Sequence, residues 1–377
     1  PQIALYFPSL SVEGISYFNM SGMQNLVKLD FRREGGIVVF TPNNSAKGYV
    51  QSGVAKPAPI SGKLTMVWEH VTLDNPNIGA QNAIPGLEVI SPTWFNLMDA
   101  NGGMANRASA AYVESAHRKG YRVWGLVSNS FNASMTSALF KNARAMNLFM
   151  ARLIIYAKLY GLDGVNIDFE GMNETDRAQF VRFVARISEL LRPEGLTLSV
   201  DVFIPANTKS SRSHDRGELA KYADYIMLMA YDEHWRTSPR AGSVASMPWV
   251  TKAVEGTLAE GVPASKLVLG VPFYMRRWEE TKSGEGVKVK GYTLTMAEAE
   301  ELSAKRGAPM QWLETQGQHY FTYVANGKVQ KVWVENAASI ERKLSLVGKY
   351  GLAGMAGWRK GHEKPEVWRT ISSIMGK

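Results

Sequence analysis

Short apolar runs alternate with longer amphipathic segments from Lys63 to the C-terminus. Apolar residues at helical spacing predict helices at 108–119, 143–160 and 176–191. The short runs are rich in β-branched and aromatic residues, which is typical of buried strands. Eight of them follow one another, with the sequences KLTMVWEHV, LEVISPTWFN, YRVWGLVSN, GVNIDFEG, LTLSVDVFIP, YIMLMAYDEHW, LVLGVPFYM and LAGMAGW. Eight strand and helix units predict an α/β fold, a parallel (β/α)8 TIM barrel with its active site at the C-terminal strand ends.

The segment after the seventh predicted strand is too long for a simple loop. It contains a predicted helix at 296–306 and two alternating apolar runs around Asn326-Gly327, a dipeptide that favours a tight hairpin turn. We therefore expect a small α+β subdomain to be inserted in the barrel at 279–336.

Residues 1–56 contain short apolar runs broken by turn residues, such as IALYF, VVF and GYV, and predict a small β-rich module. The closing Gly48-Tyr49-Val50 resembles the end of a bacterial SH3-like wall-binding domain. The alternative is a strand pair packed on the barrel. Residues 57–62 begin Pro-Ala-Pro and predict a linker, because proline fixes its own φ and restricts the preceding residue. The barrel domain is then expected at 63–377.

The composition is that of a globular protein of 377 residues, with 45% apolar and 20% charged residues and no apolar run long enough to span a membrane. The absence of cysteine excludes disulfides, a thiol nucleophile and Cys-based zinc sites. A net charge of +9 favours an anionic partner. The basic residues are scattered, however, and the short clusters at 276–277 and 288–290 are too small to predict nucleic-acid binding. Without metal-like histidine spacing, a phosphate loop or a Gly-x-Ser-x-Gly motif, we expect no metal and no cofactor.

The segment GLDGVNIDFEGM, at 161–172, alternates acidic and apolar residues. In a strand, Asn166, Asp168 and Glu170 share one face, opposite an apolar face that suits a core. Side chains two residues apart along a strand lie about 6.6–6.8 Å apart, so the two carboxylates disfavour each other's ionisation. We therefore expect one carboxyl to stay protonated near neutral pH, as a general acid must. The alternatives are a solvated strand end and a divalent cation site.

This segment resembles the fourth strand of glycoside hydrolase family 18, the chitinase-like barrels, whose signature reads Asp-x-x-Asp-x-Asp-x-Glu. The four positions are occupied here by Asp163, Asn166, Asp168 and Glu170, so Asn replaces the second Asp. The resemblance implies that Glu170 is the proton donor. It also implies that Asp168 orients the acetamido group of the substrate, whose carbonyl oxygen attacks the anomeric carbon in place of an enzyme nucleophile. We expect Asp163 and Asn166 to contact the substrate.

Two further motifs match the family. The sixth strand ends Met229-Ala230-Tyr231-Asp232, which matches Met-x-Tyr-Asp and implies that Tyr231 holds the acetamido carbonyl while Asp232 binds sugar. Trp358 closes the last strand and, by the same resemblance, forms the floor under the reactive sugar. We also expect Trp94, Tyr274 and Asn129 to bind sugar. The alternative for the aromatic residues is plain packing, and for Asn129 it is turn formation.

The residues around the motifs, VWEHV, SPTWF, DGVNIDFE, MAYDEHW and AGWRKGHEKPEVW, resemble the bacterial branch of the family that includes spore-cortex and cell-wall N-acetylglucosaminidases. The expected function is retaining, substrate-assisted hydrolysis of β-linked N-acetylglucosamine in peptidoglycan. The alternatives are a chitinase, an endo-β-N-acetylglucosaminidase on another glycan and, in another class, a non-catalytic wall-binding lectin. We expect a monomer whose partner is a polysaccharide and which acts outside the cell, at the wall or spore cortex, although no export signal is visible before Pro1.

Overall fold

The structure is a computed structural model that describes residues 54–284 and 286–377, together with the backbone of four short strands nearer the N-terminus. These strands form two antiparallel pairs, and they are β1 (Ser11–Val12), β2 (Ile15–Ser16), β3 (Leu29–Glu34) and β4 (Ile37–Pro42). The remainder of the expected module at 1–56, including the SH3-like ending at 48–50, lies outside the described residues. Residues 57–62, the expected linker, form neither helix nor strand.

Eight parallel strands close into a barrel. The first barrel strand, β5 (Leu64–Glu69), pairs with both the second and the last, which completes the ring. An additional short strand, β7 (Met104–Asn106), pairs with the second barrel strand, β6 (Val89–Leu97), in the antiparallel direction. The strands are β5 (Leu64–Glu69), β6 (Val89–Leu97), β7 (Met104–Asn106), β8 (Arg122–Ser128), β9 (Gly164–Asp168), β10 (Thr197–Phe203), β11 (Tyr225–Met229), β12 (Leu267–Pro272) and, after the insertion, β18 (Gly354–Trp358). All eight predicted barrel strands are present, so the predicted (β/α)8 fold is confirmed.

Helices alternate with these strands and cover the outside of the barrel. The predicted helix at 143–160 has those bounds, because Asn142 caps its first turn and Gly161 ends it in the left-handed conformation with φ of 70°. Two other predicted helices, at 108–119 and 176–191, differ from the observed ones by no more than two residues at each end. The helices outside the insertion are α1 (Ala110–Arg118), α2 (Ala133–Lys141), α3 (Ala143–Tyr160), α4 (Arg177–Leu191), α5 (Lys209–Arg212), α6 (Arg216–Tyr222), α7 (Met247–Ala259), α9 (Ala337–Lys349) and α10 (Pro365–Met375).

A five-stranded antiparallel sheet follows β12. Its strands are β13 (Tyr274–Ser283), β14 (Gly286–Thr295), β15 (Gln311–Leu313), β16 (Gln318–Ala325) and β17 (Lys328–Val334), with helix α8 (Met296–Arg306) after β14. The predicted hairpin joins β16 to β17 through Asn326 and Gly327, both at positive φ. The predicted helix at 296–306 is also present and begins with a capping box formed by Thr295 and Glu298. The sheet begins at Tyr274, earlier than the expected start at 279, because β13 follows almost directly on β12.

The core has two layers, which fix the direction of every side chain on β9. Val165, Ile167 and Phe169 have no exposed surface and pack against the outer helices, with Phe183 only 5.3 Å from Phe169 between ring centres. A second apolar cluster, which includes Trp124, fills the inside of the barrel. Because side chains alternate along a strand, the polar residues of β9 point inward and toward the C-terminal opening of the barrel. Within the described residues, no helix is both long and apolar enough to cross a membrane.

Candidate active site

A cavity of about 680 Å³ lies at the C-terminal end of the barrel, between the strand ends and the first two strands of the inserted sheet. This is the end of the barrel at which (β/α)8 enzymes carry out their chemistry. Ionisable and aromatic side chains dominate its wall, and they include Trp68, Asp168, Glu170, Asp201, Tyr231, Asp232, Tyr274, Arg276, Trp358 and Arg359. The cavity is therefore the candidate active site.

Glu170 lies two residues beyond the end of β9, and Asn129, just after β8, fixes its main chain. The Glu170 N–H donates to Asn129 Oδ1 (3.0 Å), and Asn129 Nδ2 donates to the Glu170 carbonyl oxygen (2.7 Å). Asn129 has no exposed surface and also donates to Thr136 Oγ1. Asn129 was expected to bind sugar, whereas its buried amide holds the Glu170 main chain in place.

Asp168, the last residue of β9, shares a hydrogen bond with the carboxyl of Glu170. Burial raises the pKa of Glu170 to about 10, and the negative charges of Asp168 and Asp201 add to the rise. Burial also raises the pKa of Asp168 to about 7, although the hydrogen bond from Glu170 lowers it. Glu170 is therefore the carboxyl that keeps its proton at neutral pH, and a protonated carboxyl can act as a general acid.

A buried polar chain lies beneath this pair, inside the barrel. Asn166 Oδ1 accepts hydrogen bonds from Trp68 Nε1 (2.9 Å) and Ser91 Oγ (3.2 Å), while Asn166 Nδ2 donates to Asp201 Oδ1 (2.7 Å). Burial, and then the charge of Asp168, raise the pKa of Asp201. Asn166 has no exposed surface, so the expected contact between this side chain and substrate is absent. Its amide supports Asp201 from below instead.

Tyr231 follows β11 and lies between two aromatic rings. The ring centres of Trp68 and Tyr274 are 6.5 and 6.3 Å from that of Tyr231, both in edge-to-face geometry. Burial, and next the charge of Asp201, raise the pKa of Tyr231 well above its usual range. The Tyr231 hydroxyl therefore stays protonated and can donate a hydrogen bond within the cavity.

Asp232 forms the centre of a small network on the side of the inserted sheet. Its Oδ1 accepts hydrogen bonds from the Tyr274 hydroxyl (2.6 Å) and from Arg276 Nη2 (3.3 Å). The Arg276 guanidinium also lies over the Tyr274 ring, at 4.8 Å from its centre. Both Asp232 and Tyr274 line the cavity, as expected from the sequence.

Trp358, the last residue of β18, also lies on the cavity wall. Its ring is partly exposed and lies 6.2 Å from the Trp68 ring, between centres. A flat aromatic face open to a polar cavity suits stacking against the apolar face of a sugar. Phe131, which is 64% exposed, adds a second aromatic side chain to the wall.

A model of the family described as Glycosyl hydrolases family 18 matches residues 118–362, more than half of the chain. The chain belongs to this family. It is therefore a glycoside hydrolase with the chitinase-like barrel that the sequence motifs indicated. Within the described residues, no group of three or more His, Asp or Glu side chains could hold a metal ion, so the divalent-cation alternative gains no support.

Several relatives of this family 18 chain come from Bacillus species. YvbX of Bacillus subtilis (strain 168), described as an uncharacterized glycosylase, is 28% identical over 288 residues, which cover 72% of this chain and 80% of YvbX. The cortical fragment-lytic enzyme of Bacillus anthracis is 25% identical over 255 residues, which cover 66% of this chain. The chain spans only 58% of that enzyme.

Two solved structures show the same fold. The Bacillus cereus spore cortex-lytic enzyme SleL has a TM-score of 0.75 at 21% identity, and the match covers 94% of this chain and 81% of the SleL chain. A chitinase from Chromobacterium violaceum has a TM-score of 0.74 at 24% identity, and the match covers 84% of this chain and 99% of the chitinase chain. At these identities the likeness extends to the fold alone.

Besides Asn129 and Asn166, two more residues expected in the site of this family 18 chain lie away from the cavity. Asp163 comes before β9, at the opposite end of the barrel, where its Oδ2 lies 2.8 Å from His117 Nε2 and accepts from the Val123 N–H (2.9 Å). Trp94 has no exposed surface, because it lies on the same face of β6 as Ile90 and packs against the outer helices. The expected sugar contacts of Asp163 and Trp94 are therefore excluded by their positions.

Several cavity residues were not singled out from the sequence of this family 18 chain, among them Asp201, Trp68 and Arg359. Asp201 is a lone acid within the apolar strand LTLSVDVFIP, and an unpaired acid in such a strand is costly unless the site uses it, so this signal was available. Trp68 was noted only within VWEHV. Arg359, directly after Trp358, had no distinguishing signal, because a single arginine at a strand end is common.

Proposed function

We propose that this protein hydrolyses β-linked N-acetylglucosamine in bacterial peptidoglycan by a retaining, substrate-assisted mechanism. The observation that carries the proposal is the buried Glu170 beside Asp168, with its raised pKa, in a cavity of about 680 Å³ that aromatic side chains help to line. The names of the relatives support the substrate class, since one is a cortical fragment-lytic enzyme. The proposed place of action is outside the cell, at the wall or the spore cortex.

The other acids of the cavity are already hydrogen-bonded within the protein, which supports a nucleophile that comes from the substrate. Asp201 accepts from Asn166, and Asp232 accepts from Tyr274 and Arg276. Glu298, also on the cavity wall, is held by Thr295 at the start of α8. Retaining enzymes with their own nucleophile place a free carboxylate about 5–5.5 Å across the sugar from the acid. Because these carboxylates already have partners, the acetamido oxygen of the substrate is the best-placed nucleophile.

The proposed reaction has two steps. Glu170 gives its proton to the glycosidic oxygen while the acetamido carbonyl oxygen bonds to the anomeric carbon and the leaving group departs. Asp168 accepts a hydrogen bond from the acetamido N–H and stabilises the positive oxazolinium ring. Tyr231 donates a hydrogen bond to the acetamido carbonyl oxygen and holds it in position for the attack. In the second step, Glu170 removes a proton from water, which attacks the anomeric carbon and opens the ring with net retention. Trp358 would support the sugar from below.

Digestion of purified vegetative and cortex peptidoglycan tests this proposal, with borohydride reduction and mass spectrometry to identify the new reducing ends. We expect reducing N-acetylglucosamine from the wild type and almost none from Glu170→Gln. A matched control is Glu189→Gln, an exposed glutamate on α4 that pairs with Arg186 and should keep full activity. Reducing muramic acid, or release of sugar from chitin oligomers only, would refute the proposed specificity. A Glu170→Gln variant near wild-type activity would refute the assignment of the acid.

A further inference from the structure

Two arginines line the cavity, and their partners differ. Arg276, on β13, donates to Asp232 at 3.3 Å and to Thr293 Oγ1, and it stacks on Tyr274. Its positive charge is therefore balanced by a carboxylate within the protein. Arg276 acts as a fixed part of the wall.

Arg359 has no such balance. Its Nε donates to His362 Nε2 (3.1 Å), and within the described residues no carboxylate lies within ion-pair distance of its guanidinium. Burial, together with the Arg359 charge, lowers the pKa of His362 to about 4, so His362 is a neutral acceptor. The acid on the same wall, Glu298, is held at the start of α8 by Thr295.

The position of Arg359 places this free charge next to the sugar site. It directly follows Trp358 and lines the same cavity as Glu170. The hydrogen bond from Nε to His362 orients the guanidinium, while the described residues offer no partner to Nη1 or Nη2. A partly buried guanidinium without a counter-ion costs free energy, and that cost is recovered when an anionic ligand pairs with it.

We propose that Arg359 binds a carboxylate of the glycan and so selects acidic glycans over neutral ones. This inference rests on the proposed function for the class of substrate. Guanidinium and carboxylate groups match in shape and can form two parallel hydrogen bonds. Peptidoglycan offers such a carboxylate on the lactyl group of muramic acid where no peptide is attached, and on the peptide where one is. Chitin has neither group.

Ligand binding to the inactive Glu170→Gln protein tests the inference without turnover. Calorimetry would compare three ligands of equal glycan length: a peptide-free glycan with free lactyl carboxylates, the same glycan carrying peptides, and a chitin oligomer. The variants, all in the Glu170→Gln background, are Arg359→Gln, Arg359→Lys and the control Arg277→Gln. Arg277 follows Arg276 on β13 and donates a hydrogen bond from Nη1 to Gln330 Oε1 (2.8 Å). It does not line the cavity.

We expect Arg359→Gln to weaken binding of at least one of the two acidic glycans by about tenfold or more, relative to its effect on the chitin oligomer. Arg359→Lys should retain part of the preference, because the charge remains but the paired geometry is lost. Arg277→Gln should leave the preference unchanged. Higher salt should weaken binding of the acidic glycans to the Glu170→Gln parent more than it weakens chitin binding. If Arg359→Gln fails to fold, Arg359→Lys decides the question, because loss of the paired geometry alone should weaken binding of the acidic glycan more than that of the chitin oligomer.

The arms of the experiment distinguish the source of the carboxylate. Because the peptide is joined to the lactyl carboxyl by an amide bond, an effect on the peptide-free glycan alone assigns the carboxylate to the lactyl group. An effect on the peptide-bearing glycan alone assigns it to the peptide, and an effect on both means that Arg359 accepts either carboxylate. Equal losses for acidic and neutral ligands, or no preference in the Glu170→Gln parent, would overturn the role of Arg359. Absence of peptidoglycan hydrolysis by the wild type would overturn the proposed function separately, since binding is measured without catalysis.

Discussion

Asn129 and Glu170 exchange two hydrogen bonds, in which the Asn129 amide meets both the N–H and the C=O of the Glu170 main chain. The carboxyl that would donate the proton lies beyond the regular part of β9, where the barrel ladder no longer fixes the backbone. The neighbouring β8 therefore supplies, through one side chain, the restraint that the sheet does not. Asn129 acts through Glu170 and is a positioning residue.

Asn129→Ala should lower kcat by about 10–100-fold, because a small displacement of a catalytic group is enough for such a loss. It should also lower the free energy of unfolding by about 1–3 kcal/mol, since buried main-chain groups lose their partners. Steady-state kinetics and chemical denaturation measure the two effects. The control is Asn173→Ala, an exposed asparagine outside the cavity, which should change neither. An unchanged kcat for Asn129→Ala would contradict the positioning role.

The carboxyl pair predicts a specific pH dependence. The productive state has a single proton on the pair, held by Glu170, with Asp168 ionised. Activity should fall below about pH 7 as Asp168 takes up a proton, and again at alkaline pH near 10 as Glu170 loses its own. A profile of kcat/KM against pH on a soluble glycan checks this shape.

Asp168→Asn removes the group assigned to the acidic limb of that profile. The residual activity of this variant should therefore no longer fall as the pH drops through 7. Its alkaline limb should remain but move to lower pH, because the charge of Asp168 no longer raises the pKa of Glu170. An acidic limb that survives the substitution would assign that limb to another group, such as the buried Asp201.

Asn166 stands where the family signature has aspartate, and its contacts predict what restoring the acid does. Asn166 donates a hydrogen bond to Asp201, and both residues are buried. Asn166→Asp would therefore place two buried carboxyls in contact. The two carboxyls would then share a proton in the folded state, because the pKa of the pair is raised above that of the same groups in the unfolded chain. Stability added by that proton is present at low pH and is lost as the pH rises through the raised pKa.

Thermal unfolding of Asn166→Asp at several pH values measures this effect. The melting temperature should lie close to that of the wild type near pH 4 and should fall further below it at pH 8. A matched control is Asn132→Asp, at the start of α2, where a carboxylate also caps a helix and should be tolerated at both pH values. A pH-independent loss in Asn166→Asp would mean that geometry, and not charge, dominates there.

The sequence allowed the barrel and the catalytic strand to be predicted because both depend on local alternation. β9 shows this most clearly, since burial of Val165 and Ile167 on one face sends Asp168 to the other. The roles of Asn129 and Asp201 could not be read in this way, because they arise from contacts between neighbouring strands. Asp163 was wrongly expected in the site because a sequence motif does not show where its strand begins. Asp163 directly precedes β9 and therefore lies at the opposite end of the barrel from Glu170.

Trp94 and Trp358 provide the sharpest test of the assigned sugar site, since both were expected to bind sugar and only Trp358 lines the cavity. Trp358→Ala should raise KM and lower kcat/KM by about tenfold or more, because loss of a stacked ring removes aromatic contact with the sugar. Trp94→Phe should keep kcat/KM within about twofold and lower the free energy of unfolding by about 1–3 kcal/mol, because it leaves a gap in the outer core and frees Asn75, the partner of the Trp94 indole. Kinetics on soluble glycan fragments and chemical denaturation, applied to both variants, separate the two roles. A loss of kcat/KM in Trp94→Phe without a loss of stability would reverse the assignment.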